Sequence, residues 1–107
     1  MKESQFQIKV VKWLRKHGYY VFSVPNGLHV TDVINIRMNK LGGMTNGISD
    51  LIVLRPNARC VFLELKTETG KQRKEQALFE TIVKSMGFEY RIIKPSTDWK
   101  ELHEWLK

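Results

Sequence analysis

Two short apolar runs separated by a turn segment constrain the fold of this chain more than any other feature. Residues 51–54 and 61–65 consist mostly of leucine, valine and isoleucine, and each run has the length of a strand. Pro56 and Asn57, two residue types that favour turns, lie in the connection between them. This arrangement predicts a β-hairpin.

The hairpin predicts that acidic residues from both of its strands meet at its open end. With the turn centred between positions 57 and 58, paired positions sum to about 115, which places Asp50 opposite Leu65 or close to it and beside Glu64. Side chains alternate between the faces of a strand, so Glu64 and Lys66 share one face while Leu65 points to the other. Carboxylates bind hard divalent cations, and a lysine can neutralise a phosphate. The spacing therefore indicates a candidate metal-dependent nuclease site.

Helical and strand patterns alternate along the rest of the chain. Apolar residues recur at steps of three and four over residues 4–17 and 72–86, which predicts two helices. The residues of the second helix that we expect to point inward are Leu78, Phe79, Ile82, Val83 and Met86. Residues 19–24 and 88–93 predict strands, 32–37 a short helix, and the last predicted helix carries Trp99, Leu102, Trp105 and Leu106. This order predicts one α/β domain over residues 1–107, with a mixed sheet flanked by helices.

Gln76 and Glu3 are two further candidate site residues. Gln76 shares a helical face with Phe79 and Val83, so its polar side chain should point toward the sheet and need a partner there. A metal-bound water or Lys66 would supply one, and a backbone hydrogen bond at the helix start is the simpler alternative. Glu3 lies at the start of the first helix, where the helix dipole favours an acid whether or not that acid reaches the site.

The composition favours a globular protein with a polyanionic partner. The net charge is +7, from 18 basic and 11 acidic residues, which suits nucleic acid, although a solvated basic surface without a ligand is the plainer alternative. No apolar run approaches the roughly 20 residues of a membrane span, and no segment of signal-peptide type is evident. The single cysteine, Cys60, fits a reducing compartment. We therefore expect a cytoplasmic protein without a membrane partner.

Three pieces of sequence together carry a resemblance to a known family. They are the segment Gly47-Ile48-Ser49-Asp50-Leu51, the run Glu64-Leu65-Lys66, and the pair Gly70 and Gln76. Their combination resembles the VRR-NUC family, the virus-type replication-repair nucleases of the PD-(D/E)XK superfamily, over nearly the whole chain. Ser49 departs from the family, which often has proline before the aspartate. The resemblance implies the restriction-endonuclease-like fold, a mixed α/β sheet flanked by helices.

The resemblance also implies a metal site. Asp50 and Glu64 would bind Mg²⁺ or Mn²⁺, and the carbonyl of Leu65 would complete the ligands from the protein. Glu3 would be an additional acid supplied by the first helix.

The catalytic roles implied by the resemblance fall on two further side chains. Lys66 would orient the attacking water or stabilise charge on the phosphate, and Gln76 would support the site. The implied activity is that of a Mg²⁺- or Mn²⁺-dependent deoxyribonuclease. Stand-alone members resemble Holliday-junction resolvases, so we expect branched DNA as the substrate, a homodimer, and a bacterial or phage-infected cell as the setting.

Two other functions remain open from the sequence. A small basic α/β domain can bind the phosphate backbone of nucleic acid without catalysing any reaction. Such a binding module gains nothing from placing Asp50 and Glu64 together near a polyanion. It would bind nucleic acid in a salt-dependent way without cleaving it. The second alternative is a structural or regulatory partner within a larger nuclease complex. It predicts no activity of the chain in isolation.

Overall fold

The computed structural model describes residues 2–24, 41, 43 and 47–107. Within them the chain forms three helices and four strands, in the order α1 (Glu3–Lys16), β1 (Tyr20–Ser23), β2 (Leu51–Arg55), β3 (Arg59–Leu65), α2 (Lys74–Ser85), β4 (Glu89–Ile93) and α3 (Trp99–Leu106). This order confirms the predicted α/β class. The short helix predicted at residues 32–37 lies outside the described residues. Among the helices that the structure describes, none combines the length and the apolar character needed to cross a bilayer.

The four strands form one mixed sheet in the order β1-β2-β3-β4. β1, β2 and β3 are antiparallel neighbours, as a hairpin between β2 and β3 requires, whereas β4 is parallel to β3. Two parallel neighbours need a crossover connection, and α2 lies within that connection. The helix therefore starts just after β3 ends, close to the predicted site.

The main hydrophobic core lies on one face of this sheet, under α1 and α3. Phe6, Val10 and Leu14 recur every four residues along α1 and are all buried. The core residues that the strands and α3 contribute are Val21, Leu51, Val53, Val61, Leu63, Leu65, Ile93, Leu102 and Leu106, with Trp13, Trp99 and Trp105 packed around them. Burying each large side chain of this kind stabilises the fold by roughly 1.5–3 kcal/mol. Because alternate residues of β3 fill this core, Phe62 and Glu64 point to the opposite face.

α2 covers the opposite face of the sheet, and here one part of the sequence prediction is wrong. Phe79 packs edge-on against Phe62, with ring centroids 5.3 Å apart, and Val83 is buried. The other residues predicted to point inward are exposed: Leu78 by 60%, Ile82 by 43% and Met86 by 68%. They lie on an adjacent stripe of the helix, about a sixth to a quarter of a turn from the line through Phe79 and Val83. The apolar surface of α2 is therefore wider than the strip that contacts the sheet.

Candidate active site

The register of the hairpin places Asp50 and Glu64 side by side. β2 and β3 pair with Leu51 opposite Leu63 and Arg55 opposite Arg59. Continuing this register by one residue sets Asp50 opposite Glu64, and directly opposite residues point to the same face of a sheet. Asp50 was predicted to lie opposite Leu65 or close to it, and the observed register is one residue from Leu65 because the turn contains three residues, centred on Asn57. The predicted neighbourhood of Asp50 and Glu64 is confirmed.

The carboxylate of Asp50 is held by the backbone of β3. Its Oδ2 atom accepts a hydrogen bond of 2.7 Å from the backbone N–H of Leu65. Burial raises the pKa of Asp50 above its usual value, while this hydrogen bond and the nearby charges of Lys66 and Arg73 act in the opposite direction. The bond fixes the orientation of the carboxylate and uses one of its oxygens, which leaves Oδ1 to bind a ligand.

The carboxylate of Glu64 is completely buried, and the Tyr90 hydroxyl lies beside it. Among the described residues, neither Oε1 nor Oε2 has a donor at ordinary hydrogen-bond distance and angle, and the Tyr90 hydroxyl interacts with the carboxylate from outside those limits. Burial raises the pKa of Glu64; hydrogen bonding to the Tyr90 hydroxyl and the charge of Lys66 lower it, and the charges of Asp50 and Glu80 raise it. Buried charges are normally paired or bound to a metal ion, because leaving one unpaired is costly. A divalent cation between Asp50 and Glu64 would remove this cost.

Lys66 and Gln76 are joined by a buried hydrogen bond. Lys66 Nζ donates to Gln76 Oε1 at 2.8 Å, and both side chains are buried. The same oxygen accepts a hydrogen bond of 2.8 Å from the backbone N–H of Arg73, at the start of α2. Two of the three partners considered from the sequence, the lysine and the helix backbone, are therefore present. Gln76 ties the ammonium group of Lys66 to the first turn of α2 and so restricts its position.

Gly47 allows the segment that leads into Asp50 to pack directly against α2. It is buried and has a φ of +84°, a conformation that favours glycine. A Cβ atom at this position would lie only 2.5 Å from the carbonyl carbon and oxygen of Glu75. The glycine three residues before Asp50 therefore permits the close approach of the two segments that carry the site.

Glu3 is an exposed residue in the first turn of α1. Neither the hydrogen bonds nor the electrostatic contacts of the described residues connect it to Asp50 or Glu64. No group of three or more His, Cys, Asp or Glu side chains arranged to hold a metal is found within residues 2–24 and 47–107. Of the predicted ligands, the structure brings together the two carboxylates of Asp50 and Glu64. The roles of Glu3 and of the Leu65 carbonyl stay predictions.

Sequence reasoning missed a polar group next to Glu64. Tyr90, on β4, is buried on the face that α2 covers, and its hydroxyl accepts a hydrogen bond of 3.2 Å from Gln72 Nε2. The same Gln72 amide also donates to Glu80 on α2, at 2.9 Å. Burial and the neighbouring carboxylates of Glu64 and Glu80 raise the pKa of Tyr90, so its hydroxyl keeps its proton. The alternating pattern of β4 would have indicated the face of Tyr90, but not the parallel pairing that brings it close to Glu64.

These side chains form a small, mostly buried polar cluster at the ends of β2 and β3 and the start of α2. It brings the two carboxylates close together and holds an ammonium group beside them. A comparison of the chain with known protein families, curated proteins and solved structures finds no match.

Proposed function

We propose that this protein is a Mg²⁺- or Mn²⁺-dependent DNA endonuclease of the VRR-NUC type, with a restriction-endonuclease-like fold. The observation that carries the proposal is the buried carboxylate of Glu64, which has no donor of ordinary hydrogen-bond geometry in the described residues and lies beside Asp50 and Lys66. An acid pair with free oxygens next to a lysine matches the donor set that phosphodiester hydrolysis with a hard cation requires. The motif resemblance described above points to the same chemistry.

The residues of the chain divide the work of the reaction. Oδ1 of Asp50 and the two Oε atoms of Glu64 would hold the cation. When bound, Mg²⁺ or Mn²⁺ would supply Lewis-acid activation of the phosphate and of the attacking water. Lys66 uses one of its three N–H groups on Gln76, so two remain to stabilise negative charge on the phosphate. Gln76 keeps this ammonium group in position.

Branched DNA and a homodimer are the substrate and assembly that we propose from the motif resemblance. A four-way junction has two-fold symmetry, and a two-fold dimer would bring one site to each of two symmetric cuts. The net charge of +7 favours a polyanionic substrate. The exposed stripe of Leu78 and Ile82 on α2, continued by Met86 at the C-terminal cap of the helix, offers apolar surface to a second copy.

A cleavage panel tests the proposal. Four-way junctions, flaps, single strands and linear duplex would be incubated with the wild-type protein in Mg²⁺, Mn²⁺ or EDTA. We expect metal-dependent cleavage that falls at least a hundredfold in Asp50→Asn and Glu64→Gln. Glu101→Gln is the matched control, since Glu101 is an exposed acid on α3. Full activity of both site variants would refute the assignment, and salt-dependent binding without any cleavage would favour the non-catalytic binding module.

A further inference from the structure

The start of α2 is fixed to the candidate site through the backbone of Arg73. The N–H of Arg73 and the ammonium group of Lys66 each lie 2.8 Å from the same oxygen of Gln76. The two nitrogens are therefore no farther apart than twice that distance. Gly47 contacts the same helical turn at Glu75. Arg73 thus occupies a fixed position on the rim of the site.

The guanidinium group of Arg73 is a cation without an ionic partner in the described residues. Its side chain is exposed, and the ion pairs that the structure shows involve other residues. Arg59, by contrast, pairs with Glu89 and donates to backbone carbonyls at the end of α3. Burial is the main influence on the pKa of Asp50, and Arg73 opposes it, so the guanidinium lies within electrostatic range of that carboxylate.

The surroundings of Arg73 favour an anion. Lys71 and Lys74, both exposed, flank it in the sequence, and the first turn of α2 adds the positive end of a helix dipole. The exposed Glu75 in the same turn offsets only one of these charges. An independent feature, the buried carboxylate of Glu64 without a donor of ordinary geometry in the described residues, indicates a cation beside Asp50, the carboxylate that lies within electrostatic range of Arg73. A phosphate bridging these two places would meet the cation on one side and a guanidinium fork on the other.

The geometry points to Arg73 as a substrate-binding residue that holds a backbone phosphate of DNA at the rim of the site. This inference rests on the proposed nuclease function and adds a residue that its motif does not include. A planar guanidinium binds phosphate through two parallel hydrogen bonds, which a lysine cannot reproduce. Lys66 is buried and acts where the reaction occurs. Arg73 is exposed and acts on binding, so its loss should raise KM and leave kcat nearly unchanged.

The test compares Arg73→Ala and Arg73→Lys with Lys84→Ala. Lys84 lies on the same helix, beyond its middle, and its loss changes the net charge by the same amount. Cleavage kinetics in Mg²⁺ would be measured on a DNA substrate that the wild type cuts. Binding of the same labelled DNA would be measured over a range of salt concentrations in Ca²⁺ and in EDTA. Urea denaturation of each variant would show that the fold is kept.

We expect Arg73→Ala to raise KM about tenfold and to reduce the slope of log affinity against log salt by about one. Arg73→Lys should restore the slope and only part of the affinity, and Lys84→Ala should change neither KM nor the slope. If the wild type cuts DNA and Arg73→Ala matches Lys84→Ala, the inference is overturned and the nuclease function stands. If the wild type cuts no DNA in Mg²⁺ or Mn²⁺, the proposed function fails. Even without cleavage, DNA binding still tests the role of Arg73. An unchanged slope of log affinity against log salt in Arg73→Ala would overturn the proposed contact with phosphate, and a reduced slope would support it.

Discussion

An alanine at position 47 would have to occupy space that the backbone of α2 already fills. Its Cβ atom would lie 2.5 Å from the carbonyl carbon and oxygen of Glu75 and 2.8 Å from Glu75 Cβ. A helix backbone cannot swing aside as the end of a flexible side chain can. Either the first turn of α2 or the segment leading to Asp50 must therefore move, and both carry residues of the site.

The cost of Gly47→Ala has two parts that a second glycine separates. A positive φ costs a residue with a Cβ atom about 1–2 kcal/mol, and forcing a methyl group into packed structure costs roughly another 1–3 kcal/mol. Gly87 has a φ of +87°, but nothing lies within 4 Å of the position of its Cβ. Gly87→Ala should therefore lower the free energy of unfolding by about 1–2 kcal/mol, and Gly47→Ala by about 2–5 kcal/mol.

Urea denaturation followed by tryptophan fluorescence would measure both losses. The dependence of the free energy of unfolding on urea should be the same in the two variants, because neither change alters the surface exposed on unfolding. Cleavage should fall in Gly47→Ala and remain at the wild-type level in Gly87→Ala. Equal destabilisation of the two variants would show that the contact between Gly47 and Glu75 is not tight, and the reasoning would be refuted.

Three other predictions concern single side chains. Glu64→Gln should raise the free energy of unfolding at pH 7 by about 1–2 kcal/mol, because it removes a buried charge. Burial raises the pKa of Glu64, so the folded state gains stability from the protonated carboxyl below about pH 4.5 and loses it as pH rises through the raised pKa. The extra stability of Glu64→Gln over wild type should therefore shrink from pH 7 toward pH 5. An equal difference in the free energy of unfolding at both pH values would contradict this. Asp50→Ala should cost about 1–3 kcal/mol, because the Leu65 N–H loses its acceptor, and Asp50→Asn should cost less; equal losses in urea denaturation would count against that hydrogen bond. Arg59→Ala should lower the free energy of unfolding by about 2–3 kcal/mol, since its guanidinium pairs with Glu89 and donates to the carbonyls of Trp105, Leu106 and Lys107. Lys100→Ala, a change at an exposed residue of α3, is the control. Equal melting temperatures of the two variants would refute this prediction.

The part of the site that depends on short-range pattern was predictable from the sequence. The hairpin follows from two apolar runs and a turn segment, and the alternation of side chains along β3 places Glu64 and Lys66 on one face. Gln76 was predicted to point toward the sheet with Lys66 as a possible partner, and the hydrogen bond between them confirms it. These features depend on strand and helix periods, which the sequence displays directly.

Features that depend on the exact turn or on neighbouring elements were not predictable in the same way. The register differs by one residue from the predicted pairing because the turn contains three residues. Asn57 and Ala58 both adopt positive φ there, at 65° and 60°, and the turn contains no glycine from which this could have been predicted. Leu78, Ile82 and Met86 fit a helical stripe, but which part of that stripe meets the sheet depends on how α2 is rotated. The proximity of Tyr90 to Glu64 requires the parallel pairing of β3 with β4, which joins residues from separate parts of the chain.

Binding of Mn²⁺ followed by electron paramagnetic resonance tests most directly whether Asp50 and Glu64 form a cation site. The signal of free Mn²⁺ should fall when wild-type protein is added, and it should fall equally with Glu101→Gln. Asp50→Asn and Glu64→Gln should leave most of the Mn²⁺ free. A wild-type protein that binds no Mn²⁺, or a Glu64→Gln variant that binds it as tightly as wild type, would contradict the account.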